Sequence, residues 1–155
     1  MNILITGGAG YIGSEMVGHF LNQGHRVLVV DNLSYGPESL LGYVSNKNFE
    51  FIRGDVRLGS NIGPFLNSAD VIIPLAALVG FPLCKKRPQE AREVNFLSNL
   101  WLAKNKSPDQ LLIYPCTNSG YGVSKGGSVC TEESPLNPVT LYGQTKVDAE
   151  TAYRE

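Results

Sequence analysis

The chain has 155 residues, with 13 Lys+Arg against 14 Asp+Glu, a net charge of -1 and 43% apolar residues. That length fits one domain able to bury a core without staples, and the apolar content excludes a disordered chain. The near-neutral balance, with a pI of about 6.1, gives no footing for nucleic acid or an anionic membrane as the main partner.

The elements follow in chain order. Asn2–Thr6 reads as a buried strand. Tyr11–Asn22 repeats Ile12, Met16 and Phe20 beside Val17 and Leu21 at helical spacing, and Gly24 ends that helix. Arg26–Asp31 is a β-branched second strand, and Pro37–Val44 a short helix. Phe49–Arg53 is strand three, and Leu58–Ser68 a weak helix interrupted by Gly63 and Pro64. Asp70–Leu75 is strand four, Gln89–Lys104 a long helix and Leu111–Pro115 strand five. A last helix runs from Val139 to Glu155. Lys85-Lys86-Arg87, the one basic cluster, falls in a loop. It reads either as a solvated helix entry or as an aid to an anionic substrate.

Strands alternating with helices predict parallel βαβ units in an α/β, doubly wound sheet of the Rossmann kind, with strand order 3-2-1-4-5. Glu155 falls inside a helical pattern with no cap and no following strand. The expectation is a single domain over 1–155, cut in its last helix, as in a fragment or a truncated gene product. The unpaired cysteines Cys84, Cys116 and Cys130 and a start without a basic leader point to a cytoplasmic protein. Cys116 reads as a buried hydrophobe. No cysteine or histidine stands at metal-ligand spacing.

Thr6-Gly7-Gly8-Ala9-Gly10-Tyr11-Ile12-Gly13 lies between the first strand and the first helix. Glycines there permit a tight turn and let backbone N–H groups approach a pyrophosphate at a helix N-terminus. Asp31 ends the second strand, where a carboxylate accepts from both ribose hydroxyls and repels a 2′-phosphate. Asn32 follows where an NADP site often has Arg. These residues favour NAD over NADP. Asp55-Val56 is either an adenine edge or a plain Asp turn. Leu75-Ala76-Ala77 either lets a dinucleotide lie close or packs the core.

Three Tyr-x-x-x-Lys pairs occur: Tyr43/Lys47, Tyr121/Lys125 and Tyr142/Lys146. The first lies at the frayed end of a short helix and the second in a glycine-rich stretch that holds no helix. Tyr142/Lys146 sits early in the last helix, where i and i+4 share a face. An ammonium near the phenol, with a positive nicotinamide, lowers a pKa that starts near ~10, so that Tyr142 becomes a general base. Lys146 can also donate to the nicotinamide ribose. Thr117, at the end of strand five, either bridges substrate and Tyr142 or forms an ST-turn.

Thr6–Gly13, Asp31, Asp55-Val56, Leu75-Ala76-Ala77, Asn95, Thr117 and Tyr142/Lys146 together resemble the extended short-chain dehydrogenase/reductase family, over almost the whole chain. The nearest group is the nucleotide-sugar epimerases and dehydratases. The resemblance implies tightly held NAD and a nucleotide-diphosphate sugar as substrate. A sugar hydroxyl is oxidised to a ketone with Tyr142 as base, then reduced from the other face. It also implies that Asn95 braces the site from the fourth helix and belongs with the cofactor-binding set, and that the fourth and last helices form a homodimer interface. Asn118 and Ser119 stand where the dehydratases carry an Asp-Glu pair, which favours epimerisation. Pro74 stands where many relatives have His. The family's C-terminal substrate lobe is absent from these residues. Two alternatives stay open: a non-catalytic NAD-binding module or sensor, and a dehydratase or dehydrogenase.

Overall fold

The computed structural model describes residues 1–123 and 129–155. The chain divides into two compact units, one of residues 1–76 with 104–115, the other of residues 77–103 with 116–155.

The first unit holds a five-stranded, all-parallel sheet in the order β3-β2-β1-β4-β5. Its strands are β1 (Asn2–Thr6), β2 (Arg26–Asp31), β3 (Phe49–Arg53), β4 (Val71–Pro74) and β5 (Leu111–Leu112). This is the doubly wound arrangement and strand order expected from the alternating pattern.

Ile3, Ile5, Val27, Val29, Val71 and Ile73 point to one face of the sheet, where Val17 and Leu21 of α1 (Tyr11–Asn22) and Leu40 complete a buried cluster. The strands are apolar on consecutive residues because both faces are covered. α1 ends in a paired turn: Gly24 N–H donates to Leu21 O at 3.0 Å and His25 N–H to Phe20 O at 3.1 Å. Gly24, with φ 80°, supplies the left-handed residue this ending requires.

Four expected elements of this unit change length or type. Strand four, expected at Asp70–Leu75, pairs over Val71–Pro74. The helix at Pro37–Val44 is a 3-10 turn over Glu38–Tyr43. The weak helix at Leu58–Ser68 is a 3-10 turn at Gly59–Asn61 followed by α2 (Gly63–Leu66), which Pro64 restarts. Strand five pairs over two residues rather than five. Ile113 N–H still reaches Ile72 O at 3.0 Å, but the next rung falls to residue 74, a proline without an N–H.

The second unit is helical. It contains α3 (Phe81–Lys86), α4 (Pro88–Arg92), a π-helical segment over Glu93–Leu97, the start of α5 (Ser98–Asn105) and α6 (Leu141–Arg154). α3 lies where a loop is expected, so Lys85 and Lys86 form its last turn and Arg87 its C-cap. The long helix expected at Gln89–Lys104 is interrupted by the π segment. There Ser98 N–H reaches back five residues to Glu93 O. The Ser98 hydroxyl donates to Val94 O at 2.6 Å and the Asn99 amide to Asn95 O at 2.9 Å. Side chains thus take carbonyls that a regular α-turn would bond with backbone N–H groups.

Candidate functional site

In the first unit the residues expected from the sequence gather at the carboxyl ends of β1, β2, β3 and β4. Gly7 follows β1 with φ 76°, and a Cβ there would stand 2.5 Å from Ala76 N. Both the backbone angle and the close approach of the β4 exit exclude a side chain. A Cβ at Gly13 would meet Gly7 O at 2.5 Å and Gly8 Cα at 2.6 Å, so the first turn of α1 rests directly on the loop. Gly10 is the N-cap of α1. Tyr11 and Ile12, on its first turn, are exposed.

Asp31 ends β2 half-buried. Its Oδ2 accepts from Ala9 N–H at 3.0 Å and its Oδ1 from Leu33 N–H at 2.8 Å. Each oxygen keeps a further lone pair for a hydroxyl donor. Asn32 accepts from Ser34 N–H at 3.0 Å and from the Ser34 hydroxyl at 2.6 Å. The Asn32 side chain also hydrogen-bonds Asp55, which links the exits of β2 and β3. Arg57, hydrogen-bonded to Asp55, holds the Asp55 carboxyl below the usual carboxylate range. Val56 is buried. Leu75 N–H donates to Thr6 O at 2.9 Å, and Leu75 and Ala76 are half-buried.

The other set lies in the second unit. Tyr142 and Lys146 share one face of α6, one turn apart. Thr140 caps this helix, its hydroxyl accepting from Gly143 N–H at 3.0 Å. A Cβ at Gly143 would stand 2.7 Å from Ser119 O, so glycine lets the turn at Asn118–Gly120 close onto α6. Thr117 caps that turn, its Oγ1 accepting from Ser119 N–H at 3.2 Å, and its side chain hydrogen-bonds the Tyr142 phenol. Thr117 therefore forms the ST-turn, and its side chain stands beside Tyr142.

Burial pushes the Tyr142 phenol up, against the Thr117 hydrogen bond, which lowers it. In the protein without a bound coenzyme the phenol therefore stands above its ordinary value. Lys146 is only 7% exposed, and burial lowers its ammonium to about 8. A cation held at that value exchanges its proton near neutral pH.

Asn95, on the π segment, is 0% exposed. Its Oδ1 accepts from Leu78 N–H at 2.8 Å, and its Nδ2 donates to Leu78 O at 3.0 Å and to Thr145 Oγ1 at 3.4 Å. Placement among the cofactor contacts does not suit a residue with no open surface. Asn95 fixes the backbone just beyond half-buried Ala77 and packs onto α6 through Thr145. Thr145, also fully buried, donates to Tyr142 O at 3.0 Å.

Cys116 corrects another expectation: as a residue it is exposed. Its sulfur nevertheless turns toward α6, 4.0 Å from Lys146 O and in a hydrogen bond with Glu150, and burial pushes the thiol up to about 11. A thiol held protonated in this way is no nucleophile at neutral pH.

The remaining Tyr/Lys pairs have other fates. Tyr43 ends a 3-10 turn and donates to Ser14 O at 3.3 Å on α1, while Lys47 lies in the following turn. Lys125 lies outside the described residues. Pattern reading missed Ser39, Gly143, Thr145 and Asn99. Only Gly143 left a signal, a glycine inside a helical pattern. Among the described residues, no group of His, Cys, Asp and Glu could hold a metal ion, and no helix is long and apolar enough to cross a membrane.

Residues 3–155 match the family described as the NAD dependent epimerase/dehydratase family. The chain is 30% identical over 151 residues to a UDP-glucose 4-epimerase of Lactobacillus helveticus, covering 95% of this chain and 44% of that protein. In structure it resembles the UDP-Glc/GlcNAc 4-epimerase of Campylobacter jejuni, with a TM-score of 0.89 and 28% identity over 99% of this chain and 48% of that one. The dTDP-glucose 4,6-dehydratase of Bacillus anthracis, solved in complex with NAD, gives a TM-score of 0.82 and 28% identity over 99% of this chain and 50% of that one. The chain thus spans about half the length of the proteins it matches.

Proposed function

The chain belongs to the NAD dependent epimerase/dehydratase family, and from that premise we propose that it is the NAD-binding part of a nucleotide-sugar epimerase. The observation that carries the reading is the grouping of Thr117, Tyr142 and the buried Lys146 on and beside one turn of α6.

The glycine loop fits a dinucleotide. Its cradle admits no Cβ at Gly7 or Gly13, and the Asp31 carboxylate retains acceptor capacity for the ribose hydroxyls. Gly7, Gly10 and Gly13 would lie against the pyrophosphate, with Tyr11 and Ile12 beside it. Asp31 and Asn32 would hold the adenosine ribose, and Asp55 and Val56 the adenine. Leu75, Ala76 and Ala77 would leave room for the coenzyme, while Tyr142 and Lys146 hold its nicotinamide ribose. NAD supplies the acceptor and donor of a hydride and, when oxidised, a positive charge.

Tyr142 takes the proton of a sugar hydroxyl as that carbon is oxidised to a ketone, and returns it to the oxygen when the ketone is reduced from the other face. A phenol raised by burial needs a neighbouring cation to ionise near neutral pH, and protonated Lys146 is that cation within the chain. Thr117 shares its hydrogen bond between the phenol and the sugar oxygen. Asn118 and Ser119, exposed on the turn after Thr117, supply no acid for an elimination, which supports epimerisation over dehydration. The substrate class is a nucleotide-diphosphate sugar, and the assembly a homodimer through the long helical stretch and α6.

The test is turnover by a protein containing this chain, supplied with NAD and UDP-, GDP-, CDP- or dTDP-sugars. Tyr142→Phe is expected to lower kcat by about a hundredfold or more while NAD stays bound. Tyr142→Phe with full turnover overturns the assignment.

A further inference from the structure

Asp31 is engaged before any ligand arrives. Its two carboxylate oxygens accept from two backbone N–H groups on different segments, Ala9 at 3.0 Å and Leu33 at 2.8 Å. Ala9 sits at the crest of the glycine loop. Its carbonyl is held from the other side, accepting from the Ser39 hydroxyl at 2.8 Å. Both polar groups of this residue are thus fixed by side chains from elsewhere in the sequence.

The supports are themselves anchored. Asp31 closes β2, and its backbone carbonyl takes Gly54 N–H at 3.0 Å. Ser39 lies on the 3-10 turn Glu38–Tyr43, whose Leu40 is buried in the core and whose Tyr43 donates to Ser14 O on α1. A glycine loop is conformationally permissive. Clamping its one non-glycine residue, Ala9, removes freedom that ligand binding would otherwise have to remove.

We propose that Asp31 and Ser39 are positioning residues that preorganise the glycine loop to receive a diphosphate, a role separate from any contact of Asp31 with ribose. The role rests on the NAD reading for its ligand, although the clamp itself is a property of the free protein. The clamp uses both oxygens of a carboxylate. Asparagine offers one carbonyl oxygen to two N–H donors and turns its amide nitrogen against one of them. Replacing Asp31 to admit a 2′-phosphate therefore also loosens the loop that binds the pyrophosphate.

The experiment compares ADP with 2′,3′-dideoxy-ADP, which has no hydroxyls for Asp31 to accept, on the 155-residue chain by calorimetry. Amide hydrogen exchange at Ala9 is followed in the free protein. Asp31→Asn and Ser39→Ala are each expected to weaken dideoxy-ADP about three- to tenfold. Ser39→Thr, which keeps the hydroxyl, is expected to bind like the wild type. Ala9 should exchange about tenfold faster in Asp31→Asn. Equal affinity of the wild type and both variants for dideoxy-ADP overturns the proposal, leaving Asp31 a ribose acceptor only. If the wild type binds neither nucleotide, the NAD reading fails, and Ala9 exchange alone decides the clamp: faster in Asp31→Asn upholds it, unchanged overturns it.

Discussion

Lys146 carries a charge in a place that disfavours it. Burial lowers its ammonium from 10.5 to about 8, so between those values the unfolded chain binds more protons than the folded one. Stability therefore rises with pH from about 8 toward 10.5, and the full cost of the buried charge is present below 8. The gain across the window is at most about 3 kcal/mol. Urea unfolding of the wild type and Lys146→Met at several pH values isolates it. The wild type should gain stability relative to the variant as pH rises, and parallel curves would contradict the burial of the charge. Tyr142 shows the limit of residue-level reading. The helix spacing places it one turn from Lys146, but its burial and the Thr117 hydrogen bond, which push its phenol in opposite directions, are revealed by no spacing. For Asn32→Arg, which adds a cation beside the ribose acid, we expect coenzyme preference to move toward NADP, read as the ratio of dissociation constants. An unchanged ratio would detach this position from the ribose.

At the scale of elements, close backbone approaches hold the functional segments in place. Gly13→Ala sets a Cβ against Gly7 O and Gly8 Cα, both backbone atoms, so α1 must shift off the loop. A loss of about 1–3 kcal/mol in thermal unfolding is expected, and an unchanged melting temperature would contradict the contact. Asn95→Ala strands the Leu78 N–H, leaves the Leu78 C=O to the Cys84 thiol alone, and should cost about 1–3 kcal/mol in thermal unfolding. β1, α1, β2 and β3 are legible in the sequence to the residue, because each is bounded by glycine or a charged end and has a single period. The π segment is not legible, since Glu93–Leu97 has helical periodicity and only the Ser98 and Asn99 side chains divert its carbonyls. α3 hides because its six residues, following Gly80 and carrying Pro82, read as a loop. β5 is cut short by Pro74, a residue of its neighbour.

For the whole molecule, the order of strands followed from alternation and handedness alone. The division into two units did not, because each unit is built from two stretches separated in sequence. The glycine loop and Asp31 belong to the first unit, and Thr117, Tyr142 and Lys146 to the second. The chain covers 44% of the Lactobacillus helveticus epimerase and 48% of the Campylobacter jejuni chain. Coenzyme binding is therefore the property to measure first, and the central claim stands on it. Calorimetric titration of the 155-residue chain with NAD and with NADP tests it most directly. NAD should bind, with NADP at least tenfold weaker, a difference of about 1.4 kcal/mol, because Asp31 repels the 2′-phosphate. No heat with NAD, or NADP bound as tightly as NAD, would contradict the account.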